Sequence, residues 1–88
     1  MKATKKEIYK KLLNNLKKTH RVNRATRNIM SEKGGRLLCK RLKKYGYLKF
    51  NFKKGLKIVE LTNQGKELLN NLNKFDYKFK EGEIFKWN

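Results

Sequence analysis

The chain has 88 residues, a net charge of +18, and 36 % charged against 38 % hydrophobic side chains. That is the length of a single domain, and no apolar run approaches the ~18 residues of a membrane span. Five Phe, four Tyr and one Trp, together with regularly spaced Leu and Ile, argue against a disordered polycation.

The charge is unevenly placed. Residues 1–16 hold five Lys and one Glu, residues 17–57 hold fifteen Lys or Arg against Glu32 alone, and residues 58–88 balance five Lys with five acids. A solubilising coat would be spread along the chain. A +14 block beside a neutral stretch instead makes one positive face, whose natural partner is a polyanion, above all nucleic acid. No apolar segment follows the N-terminal lysines, so no secretory signal is read and a cytoplasmic protein is expected. The single cysteine, Cys39, leaves no intramolecular disulfide and no cysteine-based metal cluster.

Thr4-Lys5-Lys6-Glu7 fits a capping box, and Ile8, Leu12, Leu13 and Leu16 follow at helical spacing, predicting a first helix from about Lys5 to Lys18. A second is expected from Asn23 through Ala25, Ile29 and Met30. Gly34-Gly35 costs about 1 kcal/mol per residue inside a helix, so a turn or helix start is placed there. Leu38, Leu42 and Tyr45 then mark a third helix from about Arg36 to Tyr45, stopped by Gly46. From Tyr47 to Lys53 the period changes to two, with Leu48, Phe50 and Phe52 apolar, which predicts a half-buried strand. Lys53-Lys54-Gly55 is a hairpin tip and Leu56 to Leu61 the returning strand. Thr62 caps a fourth helix, Asn63 to about Asn73, and the alternating tail from Phe75 to Asn88 is read as a second hairpin or an extended arm.

Two stretches carry a family likeness. In Leu38-Cys39-Lys40-Arg41-Leu42-Lys43-Lys44-Tyr45-Gly46-Tyr47-Leu48 a basic, leucine-spaced helix stops at glycine before a strand. In Leu61-Thr62-Asn63-Gln64-Gly65-Lys66-Glu67-Leu68-Leu69 a Leu-Thr-x-x-Gly-x-x-Leu-Leu pattern leads out of the hairpin into the last helix. In this order, over residues 4–73, the chain resembles the winged helix-turn-helix family. In size and charge it is also similar to small DNA-bridging winged-helix proteins of methanogenic archaea. Gly34-Gly35 and the tail depart from the family pattern. The expected fold class is mainly α with a small β hairpin: a winged helix-turn-helix DNA-binding domain over residues 1–74, and a C-terminal β or extended aromatic tail over 75–88 as a dimerisation element.

The resemblance implies DNA contact by the third helix in the major groove and by the hairpin tip, the wing, over the backbone or minor groove. With Leu38, Leu42 and Tyr45 facing the core, Arg36, Lys40 and Lys43 fall on or near the opposite side, flanked by Lys33, Arg41 and Lys44. Lys53 and Lys54 reach phosphate from the tip, with Lys57 beside them. Gly34 and Gly35, opening the helix, let backbone N–H groups approach a phosphate. Arg21, Arg24 and Arg27, at i, i+3 and i+6, fall along one side of the second helix. Lysine acts as a point charge on phosphate and the third helix has no Asn or Gln to read adenine, so backbone binding is favoured over base readout.

Other groups have plainer readings. Cys39 is read as a small buried hydrophobe, His20 as a surface or phosphate-adjacent residue of a basic loop, and Asp76, Glu81 and Glu83 as charge balancers. The tail aromatics Phe75, Tyr77, Phe79, Phe85 and Trp87 can stack on bases, but their neutral surroundings favour packing on the core or on another subunit. No nucleophile, base and orienting acid share an element, so no enzyme, cofactor, metal or small-molecule ligand is expected, nor a membrane partner. The function expected is largely sequence-independent double-stranded DNA binding: architectural, nucleoid-associated, compacting or bridging DNA as a homodimer or higher homo-oligomer. A sequence-specific transcriptional regulator of the same fold is the alternative, kept open by Arg24, Arg27, Arg36 and Arg41. An RNA-binding or ribosome-associated protein is the third.

Overall fold

A computed structural model describes residues 4–85. It is helix-rich with one antiparallel hairpin, in the order α1 (Lys5–Thr19), α2 (Val22–Ala25), α3 (Glu32–Lys44), β1 (Leu48–Lys53), β2 (Leu56–Leu61), α4 (Asn63–Leu72) and α5 (Glu81–Ile84). The Thr4 hydroxyl accepts from Glu7 N at 3.2 Å and so starts α1, and His20 ends it in the left-handed conformation. Tyr9, Leu12, Leu13 and Leu16 of α1 form one wall of the core. Leu42 of α3, Leu48, Val59 and Leu61 of the hairpin, and Leu68, Leu69 and Leu72 of α4 close over them.

The connection between α1 and α2 is anchored to the hairpin. Val59 N donates to the His20 carbonyl at 2.8 Å, and His20 Nδ1 lies 3.3 Å from the Val59 carbonyl. At the base of the hairpin, α3 stops in a Schellman arrangement: Tyr47 N bonds the Leu42 carbonyl and Gly46 N that of Lys43, with Gly46 at φ +88°. The entry to α4 locks onto this stop. Thr62 Oγ1 donates to the Gly46 carbonyl at 2.5 Å and accepts from Gly65 N at 3.1 Å, while Thr62 N bonds the Tyr47 carbonyl. A Cβ on Gly65 would lie 2.0 Å from the Tyr47 oxygen. The threonine and the glycine of the Leu-Thr-x-x-Gly pattern are therefore one joint between α4 and the end of α3.

The expected second helix is a single turn. Asn28 takes a left-handed φ of +66°, which no α-helix continues through, and Ile29 and Met30 bond back to the Thr26 carbonyl as turns. The third helix begins four residues earlier than expected, at Glu32, because Ser31 Oγ accepts from Gly34 N at 3.0 Å and caps it. Gly34-Gly35 thus lies inside the helix. The reason is packing: a Cβ on Gly35 would sit 2.2 Å from Thr26 Cγ2, so the segment after α2 can approach α3 closely only with glycine there. Helix α3 buries Gly35, Cys39 and Leu42, with Leu38 and Tyr45 only partly covered.

Among the described residues the tail forms no second hairpin. Residues 77–80 have no regular structure and lead, through an extended Lys80, into the one-turn helix α5, which seats Ile84 and Phe85 in the core. Phe79 packs on Tyr9 at 4.9 Å between ring centres, and Phe85 on Tyr45 at 5.2 Å. These rings pack into the chain's own core. Phe75 is fully exposed, Tyr77 is partly buried, and Trp87 lies outside the described residues.

Gly35→Ala is expected to destabilise by about 1–3 kcal/mol, the usual range for overpacking. Gly82→Ala, where nothing lies within 4 Å of the added carbon, should be neutral or stabilising. Thermal melts of the two variants decide; equal effects would overturn the close-approach account.

Candidate nucleic-acid interface

The burial of α3 sets its outward face. With Gly35, Cys39 and Leu42 inward, the helical period places Lys33, Leu37, Lys40 and Lys44 opposite, at i, i+4, i+7 and i+11. Arg36 and Lys43 fall on the flank nearest the hairpin, and Lys43 Nζ stands 4.9 Å from the centre of the Phe50 ring on β1. Lys57 of β2 covers the same ring at 4.2 Å. Phe50 is therefore held between cations of two elements, which joins α3 to the hairpin through its ring face.

Arg41 is on the other flank, roughly 140° around the helix from Arg36. Its guanidinium lies 4.0 Å from the centre of the Phe85 ring, stacked on the tail. It remains exposed but faces away from the hairpin side. Nor do Arg21, Arg24 and Arg27 form a row, because α2 is too short to carry all three. Arg21 is extended before the helix and Arg27 follows it in a turn; Arg24 and Arg27 are both exposed. Arg21 instead joins Arg36 and Lys57 around a cleft of about 250 Å³, floored by Val22 and Val59 with Asn23 and Glu32 at its edge.

Gly34 and Gly35 do not present their amides. Gly34 N is taken by Ser31 Oγ and Gly35 N by the Ser31 carbonyl at 2.9 Å, and Gly35 is buried. Arg36 pairs with Glu32 one turn earlier, with both side chains more than half exposed. Such a pair is worth only about 0.3–0.5 kcal/mol. Lys49 pairs with Glu60 at 3.6 Å on the far face of the hairpin.

At the hairpin tip Lys54 and Gly55 have φ of +53° and +76°, both positive as in a type I′ turn, with Lys53 paired to Leu56. The base of the hairpin is buried and its outer half projects, so Lys53, Lys54 and Lys57 are all exposed. Phe52, expected to be half-buried, is 73 % exposed for the same reason.

Leu37, 59 % exposed at the middle of the basic face, is the residue the sequence reading missed. Its signal was available: adding Gly35 to Cys39, already read as buried, defines a stripe that turns Leu37 outward.

No family model, no curated protein and no solved structure matches the chain. Among the described residues no three of His, Cys, Asp or Glu gather as metal ligands, and no helix is long and apolar enough to cross a membrane.

Burial pushes the Cys39 thiol up to about 11, leaving a protonated thiol at neutral pH. The Tyr9 hydroxyl donates to Glu81 Oε2 at 2.5 Å, and Lys5 Nζ lies 3.1 Å from Oε1. The Tyr9 bond, then Lys5 and Arg41, hold the Glu81 carboxyl below its ordinary range against the opposing effect of its partial burial. A carboxyl lowered on folding stabilises above its unfolded pKa and loses that contribution as pH falls through the folded one. Wild type should therefore melt higher than Glu81→Gln at neutral pH, and the gap should close as the solution is acidified through the carboxylate range. A gap independent of pH would overturn the role given to the ionised Glu81.

Proposed function

We propose that this chain is a winged helix-turn-helix protein that binds double-stranded DNA largely without regard to sequence, in an architectural role. Helix α3 enters the major groove and the hairpin serves as the wing. One observation carries this reading: the outward face of α3, its hairpin-side flank and the projecting half of the hairpin are all basic and adjoin one another, joined at Phe50 between Lys43 and Lys57. A helix of 13 residues is about 20 Å long, enough to lie along a groove. The cleft of Arg21, Arg36 and Lys57 continues that surface toward α2 and suits a backbone phosphate.

Lysine predominates over arginine on these elements, which supports contact with phosphates more than readout of bases. Leu37 favours the second reading, a site-preferring regulator, since a leucine on the outward face can touch thymine methyl groups. Bridging of two duplexes requires a second copy. Of the described tail aromatics, Phe75 is the one fully exposed for such a contact.

With about six phosphates neutralised, the slope of log K against log salt is expected near −5. Lys54→Asn, which keeps the left-handed turn, should flatten that slope by about 1, and Arg36→Ala should weaken binding to all duplexes alike. Competition with unrelated duplexes checks this. A preference above ~10³ for one sequence makes the protein a regulator, and tighter binding to structured RNA overturns the duplex reading. Sedimentation with a short duplex tests the architectural role, and strictly one monomer per duplex would remove bridging.

A further inference from the structure

The cross-strand pairing puts Leu48, Phe50 and Phe52 of β1 on the same face as Lys57, Val59 and Leu61 of β2. Leu48, Val59 and Leu61 lie in the core, Phe50 is half-buried beneath Lys43 and Lys57, and Phe52 stands beyond them with most of its ring in solvent. This is the face that meets α3, because Lys43 reaches Phe50 on it. Phe52 thus points to the same side as the basic helix.

A lone exposed phenylalanine carries no message by itself. Here the surroundings add one. Residues 50–57 contain no acid, and Phe52 is next to Lys53 and Lys54 in sequence and opposite Lys57 across the ladder. Three of the four large apolar side chains found exposed, Leu37, Phe52 and Leu56, fall in the basic block, with Phe75 the exception. An apolar ring on a hairpin tip with Lys57 on its own face and Lys53 on the other matches a ligand with anionic walls and an aromatic interior. A second copy of this hairpin would bring its own lysines and be repelled. A lipid surface is met by a broad amphipathic face, whereas this is the tip of a hairpin closed by a two-residue turn, which offers one aromatic ring at a point.

We propose that Phe52 inserts its ring at a base step of duplex DNA from the minor groove and kinks the duplex, while Lys53, Lys54 and Lys57 neutralise the groove walls. The inference rests on the duplex-binding reading and adds deformation of the DNA to it. Unstacking is cheapest at pyrimidine–purine steps, so duplexes with central TA steps bind best.

The test uses the intact protein with a short AT-rich duplex, end-labelled for energy transfer and carrying 2-aminopurine at the central step. Wild type should bring the ends closer and brighten the 2-aminopurine. Phe52→Ala should bind about tenfold more weakly, as expected for one lost stacking contact, with an unchanged salt slope and neither signal. Phe52→Trp should restore both. The ring is exposed, so the variants should melt like wild type. The proposal is overturned if Phe52→Ala bends and unstacks the duplex as wild type does. It also falls if Phe52→Ala lowers the oligomeric state, making the ring a contact between copies, or if anionic vesicles bind the ring in preference to DNA. If wild type binds no duplex at all, the underlying DNA reading fails, a result distinct from binding without bending.

Discussion

At residue 65 the backbone of α4 runs so close to the peptide carbonyl of Tyr47 that only a hydrogen fits between them. The arrangement of the basic groups depends on this contact. Helix α3 passes into β1 through Gly46 and Tyr47 with no intervening linker, and Thr62, Gln64 and Gly65 hold that passage from behind. The angle between α3 and the hairpin is therefore set by packed backbone and not by a flexible connection. A surface held in this way has little left to order when it meets a rigid ligand, which lowers the entropic cost of association.

The same rigidity must be maintained against charge repulsion. A stretch with fifteen cations and one acid resists compaction, and few carboxylates are at hand to relieve it. Rings take over part of that work: Phe50 receives Lys43 and Lys57, Phe85 receives Arg41, and Tyr77 receives Lys6, whose ammonium also binds the Lys74 and Tyr77 carbonyls. Long cationic stems lying along aromatic faces cover apolar surface while the charged heads stay in water. The neutral C-terminal segment contributes in the same sense, since Phe79, Ile84 and Phe85 enlarge a core that a short basic domain would otherwise lack.

Much of the fold was legible in the sequence because local signals and tertiary structure agree. The cap at Thr4, the stop at Gly46, the period-two strand and the Lys54-Gly55 tip all stand where their chemistry places them. The second helix is cut short locally, at Asn28, while the misreadings of Gly34-Gly35 and of the tail share a cause, which is contact between distant residues. Gly34-Gly35 reads as a break until Thr26 is seen pressing on Gly35. The tail alternates like a strand, yet Tyr9 and Tyr45 draw Phe79 and Phe85 inward, and Tyr9 fixes Glu81. For the candidate site, the sequence located the charge but not its facing. Cys39 reads as buried and is, but Gly35 reads as lying before the helix, so the buried stripe of Gly35, Cys39 and Leu42 that turns Leu37 outward goes unseen. Arg41, which reads as flanking Arg36, lies on the opposite flank.

Glu32 is the only acid in the basic block, and it sits on Arg36 at the mouth of the cleft shared with Arg21 and Lys57. It acts as a tethered counter-ion. A phosphate that reaches Arg36 must displace this carboxylate, and the duplex still sheds its condensed cation there. On the proposed duplex complex, Arg36 would then keep its share of the salt dependence while adding less affinity than an unpaired cation, because the pair with Glu32 is given up and the freed carboxylate is left beside the phosphate. The chain would carry at this one position a competitor of its own for the ligand.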